Sequence, residues 1–264
     1  MRILIIFLTL LVSAAPALGQ SMTLVTLGDS LTAGDGDEVG GGYPVRILAR
    51  LQITHPGSTL NNLAQSGFTS EDLINNELGP AVDILNSAPG DNIRMAIVWV
   101  GSNDLFGLYN YVCDFDYGND YTLCEANDLQ NFSNNIAHIL DSLQATGART
   151  YIALHDDQSR RPVMTNPARR FASYERISDL DLSRMALQVR NYNNAILAAA
   201  SVRGVGVADF FNTIIFEDWA TLSEDGNHPN AAGYDAITEI WYQVVTAGGA
   251  AKTVPGAVLK PPRK

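Results

Sequence analysis

Cations are scarce in this chain: 17 Lys and Arg stand against 28 Asp and Glu over 264 residues, a formal charge of −11. Setting aside Arg2 and the four cations after residue 251 leaves −16 on residues 21–251. A body this acidic repels phosphate backbones and anionic membrane surfaces, which argues against nucleic acid as a partner. Cysteine is scarcer still, with only Cys113 and Cys124, and two thiols cannot build a Cys-based zinc site unaided. No apolar run of membrane-spanning length occurs, so stable membrane insertion is not expected. Internal repeats and low-complexity arrays are missing too, which removes solenoid and fibrous architectures. At 46% hydrophobic and 17% charged residues the composition is that of an ordinary globular domain, and one domain is the simplest reading.

The two ends differ from the rest. Met1 and Arg2 precede the apolar run ILIIFLTLLV and the small-residue stretch SAAPALG, the pattern of a signal peptide over residues 1–20 cleaved near Gly19 or Gln20. The mature domain is then expected over 21–247, secreted or periplasmic, as a monomer. Residues 248–264 hold Lys252, Lys260, Arg263 and Lys264 with no acid and no apolar period, which reads as a flexible basic tail. In an exported chain Cys113 and Cys124 are expected to pair, stapling a loop for somewhat under ~3 kcal/mol by the loop-entropy estimate.

Short apolar runs at 23–27, 58–64, 95–101, 149–155 and 205–211 have strand character. Helix patterns at 44–52, 70–78, 128–146, 181–202 and 231–247 lie between and after them. Leu129, Phe132, Ile136, Ile139, Leu140 and Leu143 recur at spacings of three and four and form one apolar stripe, with Gly147 as the stop. Strands alternating with crossover helices predict an α/β fold: a parallel sheet of about five strands in a three-layer α/β/α sandwich. Ligands in such folds sit at the carboxyl ends of the strands. Polar candidates follow the runs at those ends: Ser30 in GDS, Gly67 in QSG, Asn103 in GSND, His155 in HDD, then Asp225 and His228 in SEDGNHPN.

A serine hydroxyl is a weak nucleophile and needs a base, an acceptor that orients the base, and donors for the developing oxyanion. Four histidines offer the base. His138 falls in a helix pattern and His55 in a turn before Pro56. His155 ends a strand and is a candidate substrate contact. His228 lies three residues after Asp225, and a D-x-x-H turn can bring the carboxylate to Nδ1 and leave Nε2 free to accept a proton. Spacing alone fits a solvated Asx turn equally well.

The segments GDSLTAG, NNLAQSG, GSND and DGNHPNAAGY, in that order across residues 28–234, closely resemble the consensus blocks of the SGNH hydrolases, the GDSL esterase and lipase family. The resemblance implies a flavodoxin-like α/β/α sandwich and an esterase that uses no cofactor. It implies Ser30 as nucleophile and oxyanion donor, Gly67 and Asn103 as the further donors, His228 as general base and acid, and Asp225 as its orienting acceptor. Asp29 and Asp104 beside these residues are expected to be structural. No G-x-S-x-G occurs, so the nucleophile elbow of the ordinary α/β-hydrolases does not apply.

Two further features stand apart. Asp114, Asp116, Asp120 and Glu125 occupy positions 1, 3, 7 and 12 of a stretch that superficially matches a calcium loop, although position 6 is Asn119 where Gly is wanted. Arg160, Arg161, Arg169, Arg170 and Arg176 form the only basic island of the body, for which internal ion pairs are the favoured reading over an anionic substrate group. Segments 34–43 and 160–179 are expected at the rim of the site. Small-molecule, lipid or acylated-carbohydrate esters are the expected substrates, with short acyl groups favoured because no lid-like apolar segment is present. Acyl transfer or carbohydrate O-deacetylation would use the same site, and a non-catalytic carbohydrate- or calcium-binding module is the alternative outside catalysis.

Overall fold

The computed structural model of the protein describes residues 19–247. Apart from Gly19 and Gln20, the expected leader lies outside the described residues, as does the expected basic tail. The five strand candidates all form strands: β1 (Met22–Gly28), β2 (Thr59–Asn62), β3 (Ile93–Trp99), β4 (Arg149–Leu154) and β5 (Gly206–Asp209). They lie in one parallel sheet in the order β2-β1-β3-β4-β5. This order switches direction at β1 and β3, where α/β folds open a crevice.

The apolar runs are continuous because both sheet faces are covered, and the two-residue period of a strand divides them between two cores. Leu24, Met95, Ile97, Trp99, Tyr151, Ala153 and Phe210 belong to one core, packed against the Gly42–Thr54 and Ala231–Thr246 helices. Val25, Leu27, Ala96, Val98, Ile152 and Leu154 belong to the other, under the Gly79–Ser87, Tyr121–Ala145 and Asp179–Arg203 helices. The expected three layers are therefore present. Local chemistry sets the helix ends. Ser178 caps the Asp179–Arg203 helix through a capping box with Asp181, and Gly204 closes it in the left-handed region. Gly147, at φ 78°, follows the end of the Tyr121–Ala145 helix as expected.

Two boundaries differ from expectation. The expected helix at 128 begins at Tyr121, where Asp120 accepts a hydrogen bond from Leu123 N–H, so Cys124 and Glu125 lie in a helix rather than in a loop. Cys124 is fully buried and disulfide-bonded to Cys113. The expected helix over 70–78 passes through a π-helical segment, Ile74–Leu78, into the Gly79–Ser87 helix. Pro80 lacks the N–H that an uninterrupted α-helical ladder needs, and the wider π turn accommodates this. The π segment also places Glu77 inside the protein, where its Oε2 accepts from Gly28 N–H at 2.8 Å at the end of β1.

Candidate active site

Ser30 opens a single helical turn, Ser30–Ala33, directly after β1. Gly28, at φ +149°, makes this turn: a Cβ there would lie 2.0 Å from the Trp99 carbonyl oxygen of β3, so no side chain fits. Asp29 is the N-cap, buried, accepting from Leu31 N–H at 3.0 Å. Burial pushes its carboxyl up to about 7, against that backbone hydrogen bond. Its side chain points inward, which fits the structural role expected of it.

The 223–230 loop delivers the partner of Ser30. Asp225 Oδ1 accepts from His228 N–H (2.9 Å), Asn227 N–H (2.7 Å) and Ser223 Oγ–H (2.8 Å). Its Oδ2 lies 2.6 Å from His228 Nδ1, and His228 Nε2 lies 2.9 Å from Ser30 Oγ. Partial burial pushes the Asp225 carboxyl up, but the four hydrogen bonds outweigh it and hold the group well below the usual carboxylate range. An ionised carboxylate only accepts, so the Nδ1 proton faces Asp225 and Nε2 is left to accept from Ser30. Asp225 thus makes the i to i+2 contact of an Asx turn through Oδ1 and the imidazole contact through Oδ2.

The loops after β2 and β3 approach the same end of the sheet. Gln65 N–H donates to the Gly28 carbonyl at 3.1 Å, and Ser66 Oγ–H donates to both Asp35 oxygens at 2.8 and 2.7 Å. Gly67 takes φ +85° and is exposed, with nothing within 4 Å of where a Cβ would be. Asn103 Nδ2 donates to the Phe68 carbonyl at 2.9 Å. This contact uses one of its two N–H groups. Asp104 accepts from Ser70 N–H (2.9 Å) and Oγ–H (2.5 Å), tying the two loops together. Its structural role follows, and burial pushes its carboxyl up to about 6.

His155, a candidate substrate contact in the sequence, is buried in the structure. It is 1% exposed, under the turn at Gly101, where a Cβ would meet its Nε2 at 2.6 Å. Burial lowers its pKa to about 4, so the ring is neutral packing, and Asn193 bonds both its backbone N–H and its carbonyl at 2.8 Å. His138 is exposed on its helix, and His55 Nδ1 lies 2.8 Å from the Gln20 carbonyl.

The candidate calcium acids do not converge. Asp114 accepts from Tyr121 and pairs with Arg176, Asp120 caps a helix, and Glu125 accepts from Tyr109 at 2.9 Å and faces Arg184 at 3.5 Å. Among the described residues no group of three or more His, Cys, Asp or Glu could hold a metal ion. Four of the five arginines of the basic island form internal ion pairs, Arg160 with Glu217, Arg161 with Asp156, Arg170 with Asp179 and Arg176 with Asp114, while Arg169 donates to the Glu224 carbonyl. Segments 34–43 and 160–179 do border the loop of His228. A Cβ on Gly36 would lie 3.0 Å from His228 Cβ, and Val163 N–H donates to the Gly226 carbonyl at 3.0 Å.

The extracellular lipase of Streptomyces rimosus superposes on the chain with a TM-score of 0.59 at 16% identity, over 85% of this chain and 100% of its own. Phospholipase A1 of Streptomyces albidoflavus gives 0.59 at 15% identity, over 85% and 99%. An acetyl xylan esterase of Geobacillus stearothermophilus gives 0.57 at 15%, over 87% and 97%. Likeness at these identities is one of fold, and no curated protein matches the chain. The sequence itself matches the GDSL-like lipase/acylhydrolase family over residues 26–236, from β1 into the last helix, and with that match the chain belongs to this hydrolase family.

Proposed function

We propose that the protein hydrolyses carboxylic esters, with a preference for short acyl groups, through an acyl-enzyme on Ser30. The observation that carries this reading is the Ser30–His228–Asp225 chain, closed at 2.9 and 2.6 Å. Ser30 Oγ attacks the acyl carbon as its proton passes to His228 Nε2. The carbonyl oxygen becomes an oxyanion facing the Ser30 and Gly67 N–H groups and the second Asn103 N–H. Collapse breaks the ester bond, and the leaving alkoxide takes the proton from His228. Water then attacks the acyl-enzyme, gives its proton to His228, and the acid leaves as Ser30 Oγ regains a proton. Asp225 stays ionised throughout and stabilises the imidazolium. The leader-like first twenty residues support export to the periplasm or medium, where the Cys113–Cys124 bond persists.

The test is labelling of the purified protein by a fluorophosphonate probe with Ser30→Ala as the blank, followed by a chain-length series of p-nitrophenyl esters. Labelling that requires Ser30 and activity that falls with acyl length are expected. An unlabelled wild-type protein overturns the esterase reading, and equal activity on long and short acyl groups overturns the acyl preference.

A further inference from the structure

Arg161 is 1% exposed. Its Nε and Nη2 donate to the two Asp156 oxygens at 2.9 and 2.7 Å, a bidentate buried pair, and its guanidinium stacks 4.7 Å from the Phe216 ring centre. The remaining donor, Nη1, reaches Asn227 Oδ1 at 2.9 Å. Asn227 is itself 9% exposed and sits between the two residues that orient and perform proton transfer. Its Nδ2 lies 3.5 Å from His228 Nε2.

A guanidinium carries donors and no acceptor, so the Asn227 amide cannot turn its nitrogen toward Arg161. The oxygen faces Arg161, and the NH2 group must face the imidazole. His228 is then bracketed by an acceptor at Nδ1 and a donor beside Nε2. The alternative tautomer, with its proton on Nε2, would set N–H against N–H at one side and a bare nitrogen against the Asp225 carboxylate at the other. The neighbouring chain reinforces the grip, with Val163 N–H on the Gly226 carbonyl and Arg169 Nη1 on the Glu224 carbonyl at 2.5 Å.

We propose that Arg161 and Asn227 form a positioning relay for His228: Arg161 fixes the sense of the Asn227 amide, and the amide selects the tautomer whose Nε2 accepts the Ser30 proton. The relay rests on the reading of Ser30 and His228 as the reacting pair. Neither residue touches substrate, and both act through the imidazole.

Asn227→Asp separates this from a merely structural role. It is isosteric and keeps an acceptor for Arg161, but it replaces the donor beside Nε2 with a carboxylate oxygen that favours the wrong tautomer. A wrong tautomer costs on the order of 10⁴ in kcat in a serine triad at its most severe, and a partial bias is expected to cost about 10–100-fold here. On p-nitrophenyl acetate kcat should fall by that factor with KM within about twofold, and the melting temperature should hold. A cycle tests the link to Arg161. Arg161→Met with Asp156→Asn removes both buried charges, and its kcat loss should shrink to about twofold or less when Asn227 is already Ala. Wild-type kcat in Asn227→Asp, or the same fold loss from the Arg161 change in both backgrounds, overturns the relay. If the Arg161 variant does not fold, Asn227→Asp decides alone. Failure of the wild-type protein to label with fluorophosphonate strikes the esterase reading instead, which keeps the two failures apart.

Discussion

Two stretches of this chain set carboxylates close together in sequence and fold to different ends. In SEDGNH, residues 223–228, the backbone turns back on Asp225, so that two N–H groups and a hydroxyl converge on Oδ1 and the imidazole takes Oδ2. In CDFDYGNDYTLCE, residues 113–125, Asp114, Asp120 and Glu125 sit on different turns and each faces a Tyr or Arg side chain or a helix N-terminus. Close spacing in sequence brings carboxylates near one another. Only backbone conformation decides whether their oxygens share a target.

Breaking the first stretch should have the largest effect. Asp225→Asn is expected to lower ester-hydrolysis kcat by about 10³–10⁴-fold with a smaller change in KM, since the amide no longer enforces the Nδ1–H tautomer. Asp114→Asn in the second stretch should leave kcat within about twofold, because it weakens only a half-buried pairing with Arg176 and keeps an acceptor for Tyr121. A large loss there, measured beside Asp225→Asn, would erase the contrast.

The second stretch matters for stability through its disulfide. Replacing Cys113 and Cys124 by Ser should lower unfolding free energy by about 2–3 kcal/mol in denaturant titration, with activity kept below the new transition. Loss of activity before unfolding would mean that the staple shapes the site.

The contrast between a well-served and a stranded carboxylate sharpens with pH. Asp225 has a depressed pKa and stabilises the fold above the unfolded carboxylate range, a contribution lost as pH falls through its low folded value. Burial raises Glu77 to about 8, so between its ordinary value near 4.5 and 8 the unfolded state releases a proton that the native state keeps. Stability therefore falls as pH rises through that window. Glu77→Gln keeps an acceptor for Gly28 N–H, and its melting temperature should decline less between pH 5 and pH 8 than that of the wild type. Parallel declines would show that Glu77 is ionised in the fold. The smallest expected effect is that of calcium: millimolar calcium chloride should leave the melting temperature unchanged, and a rise of several degrees would mean that the 113–125 acids rearrange to bind it.

The strands were legible because burial on both faces writes itself as unbroken apolar runs, and the candidate site because Ser30, Gly67, Asn103, Asp225 and His228 lie in short blocks that resemble a known family's, each after a strand or in the loop beyond it. The helix starting at Tyr121 was read seven residues short because polar Thr122, Glu125 and Asn127 hide its first turns. The short helices over 102–115 and 158–173 have too few turns to show a period. His155 ends a strand on the active side, and its one-dimensional position cannot reveal that Gly101 folds over it. Arg161 stood in a basic island whose members looked alike, while the structure buries Arg161 and Arg170 and leaves Arg160, Arg169 and Arg176 exposed.

From its residues alone the chain was committed to a parallel α/β sandwich, because strand period, helix caps and glycine turns are local properties that repeat wherever the same residues recur. The D-x-x-H spacing is local too, and it allows the carboxylate to reach the imidazole without by itself choosing that arrangement over a plain Asx turn. Tertiary structure alone decided that His228 Nε2 meets Ser30 Oγ from 198 residues away, and that the guanidinium of Arg161 holds Asn227 beside them. Distance, desolvation and the sense of an amide belong to groups brought together from separate loops and turns, and no stretch of sequence carries them by itself.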